Sequence, residues 1–263
     1  MNANNKKTGN EIISSMFLFK WLGLLVIGVG LIGCVAQQPQ NEKNIRERAR
    51  AHADLGAVYY QQKQLEIALD EYTEASKIDP SFGLAYNGLG LVRAALGQDD
   101  MAEANFKKAL QLNPNSSESH NNYGSFLCGR NRIDESLKEF MAAVNNPLYE
   151  TPAMAYTNAG ICALRKNDSV DAETYLQKAL RIDPLSSVAA YQLALIQFKR
   201  NDVVTAKKTL QNVLLVQPGP EMLWLAIQIE RAVGAKDAEA SYSLELRSKY
   251  PDSEQTKSLL SGR

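Results

Sequence analysis

The sequence predicts an all-α protein, a solenoid of about six helix hairpins, and three observations carry that prediction. A unit of 34 residues recurs through the chain, and Gly83 to Ser116 is its cleanest copy. Pro80, Pro114, Pro184, Pro218 and Pro251 mark unit ends at steps of 34, 70, 34 and 33 residues. Inside the clean copy, Tyr86, Leu89, Gly90, Ala102, Phe106 and Ala109 fall at helical spacing on two segments, broken by Gly97-Gln98-Asp99-Asp100. Each unit is therefore a pair of helices. Small residues such as Gly90 and Ala102 stand where two helices approach closely, large ones where the pair covers its neighbour, and proline stops the second helix. One hairpin cannot bury its apolar face, so at least three must stack.

The other copies follow in order. The first carries Leu55, Gly56, Tyr59, Ala68, Tyr72, Ala75 and Pro80, with His52 at the leading aromatic position. The third carries Tyr123, Gly124, Phe140 and Ala143, and the fourth Tyr156, Gly160, Ala172, Leu176, Ala179 and Pro184. The fifth keeps Leu193, Ala194, Ala206, Leu210 and Pro218; the sixth has Trp224, Ala240, Leu244 and Pro251, with Gln228 at the close-contact position and one residue fewer. This pattern resembles the tetratricopeptide repeat, which implies a right-handed superhelical solenoid with repeats at about 49–82, 83–116, 117–152, 153–186, 187–220 and 221–251. Residues 252–263 form a polar tail, expected either to make a last helical turn or to fray.

Ahead of the repeats, residues 1–33 read as a lipoprotein signal peptide. Lysines precede an apolar run from Trp21 to Ile32, too short for a membrane span of about 20 residues but suited to a signal core. Leu31-Ile32-Gly33-Cys34 looks like the bacterial lipobox, which makes Cys34 the lipidated N-terminus, held by two or three acyl chains. Val35 follows where an inner-membrane retention signal has aspartate, so the expected location is the periplasmic face of the outer membrane. Met1 and Met16 both fit as the start. Residues 34–48 are expected to be the lipidated terminus and a flexible tether, the ten residues from Val35 to Asn44 reaching about 35 Å when extended.

Lys plus Arg and Asp plus Glu number 29 each, and removing the signal segment leaves 26 positive and 28 negative side chains. The chain thus lacks the basic excess that binding to nucleic acid requires. With Cys34 acylated, Cys128 and Cys162 remain as a pair in an oxidising compartment. Both fall late on first helices, and either a disulfide, contributing about 3 to 4 kcal/mol, or two buried thiols fits.

The most distinctive text surrounds that pair: Asn121-Asn122-Tyr123-Gly124, Phe126-Leu127-Cys128, the loop Asn146-Pro147-Leu148-Tyr149-Glu150-Thr151-Pro152, and Asn158-Ala159-Gly160-Ile161-Cys162. With the lipobox and the repeats it resembles the type IV pilus biogenesis and stability lipoproteins, the PilW/PilF pilotin family. The resemblance implies a monomeric outer-membrane scaffold that binds the secretin subunit and promotes its localisation and multimerisation. The alternative is a repeat lipoprotein that serves outer-membrane protein assembly or cell-wall enzymes.

No catalytic motif, metal cluster or phosphate loop stands out, so no enzyme activity and no cofactor are expected. Gly88-Leu89-Gly90 copies the start of a dinucleotide fingerprint but sits inside a repeat helix. His52 and His120 occupy aromatic positions and are expected to pack. In stacked hairpins of this kind the first helices line the concave face. That selects Ala53, Ala57 and Tyr60; Leu84, Asn87, Leu91 and Ala94; Asn121 and Ser125; Met154, Thr157 and Ile161; and Tyr191, Leu195 and Phe198. The groove is apolar and lacks the lysines of a carboxylate clamp, so an apolar strand or helix is expected as ligand, its backbone bonded by Asn87, Asn121, Asn122 and Asn158.

Overall fold

A computed structural model describes residues 38–262. Among them are thirteen α-helices, one short 3₁₀ turn and no strand. The chain divides into two compact units between Ala85 and Tyr86. In the first unit α1 (Gln38–Gln61) and α2 (Leu65–Ile78) form one hairpin, and α3 (Gly83–Ala95) begins. The second unit contains the rest of α3, α4 (Asp99–Leu112), α5 (Ser117–Gly129), α6 (Ile133–Val144), α7 (Pro152–Arg165), α8 (Ser169–Ile182), α9 (Ser187–Lys199), α10 (Val203–Leu210), the 3₁₀ turn Val213–Leu215, α11 (Pro220–Val233), α12 (Lys236–Lys249) and α13 (Glu254–Leu260). Within it the first helices of successive hairpins touch in order, α5 on α7, α7 on α9 and α9 on α11.

Every hairpin turns on one residue in the left-handed region: Lys63, Gly97, Asn131, Asn167, Asn201 and Gly234, with φ between 60° and 76°. Glycine and asparagine suit that conformation; Lys63 does not. Counting back seven residues from each turn gives the close-contact position, Gly56, Gly90, Gly124, Gly160, Ala194 and Ile227. Counting forward nine gives the large residue of the second helix, Tyr72, Phe106, Phe140, Leu176 and Leu210 in the first five repeats. A β-carbon added at Gly90 would lie 2.7 Å from the Phe106 ring, and one at Gly160 would lie 2.7 Å from Leu176. The rings thus rest directly on backbone, and Phe106, Phe140, Leu176 and Leu210 are at most 1 % exposed. Burying each contributes about 1.5 to 3 kcal/mol.

The same count corrects the sixth repeat. Its close-contact residue is Ile227 and not Gln228, and the forward position holds Ser243, so the large and small partners have exchanged helices. Leu244 is 63 % exposed and Ala240 is also exposed, whereas Leu246 packs with Leu223 and Ile227. One residue fewer rotates α12 by about 100° relative to the expected register, which brings Leu246 inward.

Two further expectations change. Helix α1 starts at Gln38, inside the stretch expected to be a tether, although residues 41–44 are exposed. The tail is ordered: Ser253 caps α13 through the Thr256 amide, Thr256 is buried, and Leu259 covers the cluster of Leu223, Ile227 and Leu246. It closes the last hairpin.

The first four repeats end in an aspartate or asparagine followed by proline. The Oδ1 atoms of Asp79, Asn113, Asn146 and Asp183 accept from the amide two residues on, at 2.9 to 3.3 Å. Each is an Asx turn that ends a second helix. Asn146-Pro147 is the unit end absent from the proline series, and Leu148 to Thr151 lengthen the link that follows it.

Replacing Gly90 with alanine should lower stability by about 1 to 3 kcal/mol, because the methyl meets the Phe106 ring. Gly129→Ala, where nothing lies within 4 Å, should be neutral or better in the same urea titration. Equal midpoints for the two variants would refute the close-contact account.

Candidate protein-binding face

In the second unit the first helices α5, α7, α9 and α11 present the face expected to bind a ligand, and most of the apolar side chains selected there already have neighbours. Leu91 and Ala94 pack against the cluster of Phe106, Tyr123, Phe126 and Leu127. Tyr191, Leu195 and Phe198 pack against Ala190, Ala194 and Leu210. All five are half-buried, so each supports the stack and shows only part of its surface. Ile161 is half-buried too, Ser125 is exposed, and Met154 is 47 % exposed. Thr157 is turned inward and donates to the Ala153 carbonyl at 2.8 Å. In the first unit Ala53 is buried, Ala57 and Tyr60 are half-buried, and Leu84 is 42 % exposed.

The asparagines behave differently from the expectation. Asn122 Nδ2 donates to Asn87 Oδ1 at 3.3 Å, and Asn158 Nδ2 donates to Asn121 Oδ1 at 3.1 Å. Asn87 and Asn121 are each 3 % exposed. They tie α3 to α5 and α5 to α7, because a buried amide must find a partner inside the protein. Only the half-buried Asn122 and Asn158 retain an edge toward solvent. A cleft of about 470 Å³, lined in part by Leu164, Gln192, Leu195 and Ile196, continues this surface between α7 and α9.

Cys128 and Cys162 are joined as a disulfide that spans α5 and α7, with Cα atoms 5.8 Å apart. Around it Ser136 Oγ donates to the Gly124 carbonyl at 2.7 Å, and Arg165 Nη1 donates to the Cys128 carbonyl at 2.9 Å. Cys34 lies outside the described residues, as does the signal segment.

Charged groups form a second pattern that the sequence reading missed. Asp99 pairs with Arg130, Asp134 with Lys166 and Glu173 with Arg200, each joining one hairpin to the next at 2.6 to 2.8 Å. The first two are solvent-exposed and worth little individually, whereas Glu173 is 18 % exposed. Glu103 is more deeply engaged. It accepts from Arg132 at 2.6 Å, Lys107 at 2.8 Å and Tyr123 at 2.9 Å, and the Arg132 and Lys107 cations hold its carboxyl down to about 2. Recurrent acid and base at near-repeat spacing was the available signal.

Both histidines sit at aromatic positions and face a glutamate nineteen residues on. His52 Nδ1 lies 2.7 Å from Glu71, and His120 Nδ1 lies 2.6 Å from Glu139. His120 Nε2 also reaches the Pro114 carbonyl at 2.9 Å. With an acceptor at each ring nitrogen the imidazolium is favoured, and the Glu139 carboxylate raises its pKa above the usual value. Among the described residues no three His, Cys, Asp or Glu side chains group to hold a metal ion, and no helix is long and apolar enough to cross a membrane.

Stacked hairpins with glycine on one helix, an aromatic on the other and an Asx-Pro end define a tetratricopeptide-repeat protein. Tetratricopeptide-repeat models match residues 56–97, 83–116, 105–138 and 163–227. The type IV pilus assembly protein PilF of Pseudomonas aeruginosa is 29 % identical over 237 residues, which is 88 % of this chain and 93 % of PilF. The solved structure of P. aeruginosa PilF superposes with a TM-score of 0.74 at 25 % identity, over 84 % of this chain and all of that one. The crystal structure of PilW, described as a widely conserved type IV pilus biogenesis factor, gives 0.69 at 30 % identity, over 81 % of this chain and 98 % of PilW. The chain belongs to the PilF/PilW family of tetratricopeptide-repeat proteins.

The His120 contacts predict a pH dependence. A folded-state pKa above the unfolded one makes the contribution fully present below about pH 6.5 and lost as pH rises through the raised value. The stability difference between the protein and His120→Gln, read from urea unfolding, should be largest below about pH 6.5 and shrink as pH rises through the raised value. A constant difference would show that His120 acts by packing alone.

Proposed function

We propose that this protein is an outer-membrane lipoprotein scaffold that binds the secretin subunit and promotes its localisation and multimerisation during type IV pilus biogenesis. The observation that carries the reading is near full-length similarity to PilF and PilW, which it spans over 93 % and 98 % of their lengths. Family membership supports a role in type IV pilus biogenesis. The finer claim, that the partner is the secretin, rests on the resemblance of the stretch from Asn121 to Cys162 to the pilotins.

The proposed action is holding, without catalysis. The first-helix face offers partly covered apolar groups at Met154, Ile161, Tyr191, Leu195 and Phe198, with Asn122 and Asn158 beside them. A segment of secretin laid there would exchange water for these side chains until assembly buries it elsewhere. Acylation at Cys34, for which the lipobox-like sequence speaks, would keep that grip at the membrane and raise the local concentration of captured subunits.

A strain lacking the protein should lose secretin multimers from its outer membrane, and the wild-type gene should restore them where Cys34→Ala does not. Normal multimers in the deletion strain would rule the reading out. In vitro, Met154→Asp should weaken co-purification of secretin about tenfold with an unaltered circular dichroism spectrum; undiminished capture would remove the first-helix face from the reading.

A further inference from the structure

In the second unit the left-handed turns stand at one end of the hairpins, so the links between hairpins all lie at the other end. Neighbouring links touch there: Asn146 Nδ2 donates to the Asn115 carbonyl at 3.3 Å, and Tyr250 Oη donates to the Pro218 carbonyl at 2.9 Å. Three consecutive links hold a leucine in water, Leu148 between α6 and α7, Leu185 between α8 and α9, and Leu215 in the 3₁₀ turn ahead of α11. Leu148 and Leu215, at 85 % and 84 %, are the two most exposed large apolar side chains among the described residues, and Leu185 is 53 % exposed. The links into α5 and α13 instead place Asn115 and Asp252 after their prolines, where these place Leu148 and Leu185. One exposed leucine needs no explanation, but a row of them on one edge marks a contact surface.

The carboxylates of this edge are unpaired. Glu118 in the first turn of α5, Glu150 in the link into α7 and Glu221 in the first turn of α11 are all exposed, and among the described residues none of them has an ion-pair or hydrogen-bond partner. Residues 113–119, 145–155, 183–190 and 211–223, which make up these links and the helix starts beside them, contain no lysine, arginine or histidine. Toward the hairpin turns the same unit pairs its charges, Asp99 with Arg130, Asp134 with Lys166 and Glu239 with Arg231. The link edge is therefore apolar and negative, with no cation of its own to answer the carboxylates.

We propose that the link edge of the second unit docks a cationic amphipathic helix of a protein partner, which lays apolar side chains across Leu148, Leu185 and Leu215 and sets lysines or arginines against Glu118, Glu150 and Glu221. The sign of the partner follows from complementarity to three carboxylates that nothing else neutralises. Its form follows from spacing. The leucines recur once per hairpin, and packed helices stand about 8 to 10 Å apart; a helix presents the same side every seven residues, or about 10.5 Å. Two heptads thus span the three links. An anionic lipid surface would be repelled by the same carboxylates. The edge is distinct from the first-helix face, so the inference does not rest on the secretin reading.

Fluorescence anisotropy of the full chain with three labelled model helices tests this: leucines at heptad spacing with lysines, the same leucines with glutamates, and the leucine–lysine composition in scrambled order. The first should bind, and the other two should bind at least about tenfold more weakly. Leu148→Ser combined with Leu185→Ser should weaken the first helix about tenfold, as should the triple variant Glu118→Gln, Glu150→Gln and Glu221→Gln, which should also remove most of the salt dependence. Val170→Ser combined with Val204→Ser should bind like the parent, because these valines, 74 % and 75 % exposed, stand three residues past the left-handed turns at the opposite end. Equal binding of the lysine and glutamate helices, undiminished binding by the leucine variant, or an equal loss in the valine variant would overturn the proposal. So would phosphatidylcholine vesicles that bind the parent more than the leucine variant, because the occupant would then be a lipid surface.

Discussion

The structure depends on one contact made again and again: a large side chain of a second helix lying flat on the backbone of the first, where no β-carbon intervenes. Phe106 on Gly90, Phe140 on Gly124 and Leu176 on Gly160 set how closely each pair of helices approaches. That distance fixes the tilt of the hairpin, and the left-handed turn seven residues further on fixes its register. Close-packed interiors tolerate little departure from such a fit. Where the sixth repeat places Ile227 in the first helix, a serine takes the facing register and the pair remains filled.

Stacking then uses weaker and more varied devices. Asn87 with Asn122, Asn121 with Asn158, the Cys128–Cys162 disulfide and the exposed acid-base pairs from Asp99 to Arg200 all join one hairpin of the second unit to the next. None is strong alone; the disulfide restricts the unfolded chain between two adjacent hairpins rather than across the whole unit. A repeat protein is stabilised by nearest neighbours, so such local ties are sufficient.

The candidate face follows from that economy of contacts. Leu91, Ala94, Tyr191, Leu195 and Phe198 lend one side to the stack and leave the other partly open. A ligand would therefore meet a surface already held rigid, with little ordering left to oppose binding.

The sequence by itself determined the helix pairs, the close-contact glycines of four repeats and the family, because these depend on residue type at a fixed period. It also marked Cys128 and Cys162 as the remaining cysteines. Tertiary structure decided what periodicity cannot express. Whether Asn121 faces a ligand or a neighbouring helix depends on the rotation of α5 against α7, and whether Leu244 or Leu246 is buried depends on one residue missing from the last hairpin. The order of α13 rests on a serine cap and on Leu259 finding the end of the stack.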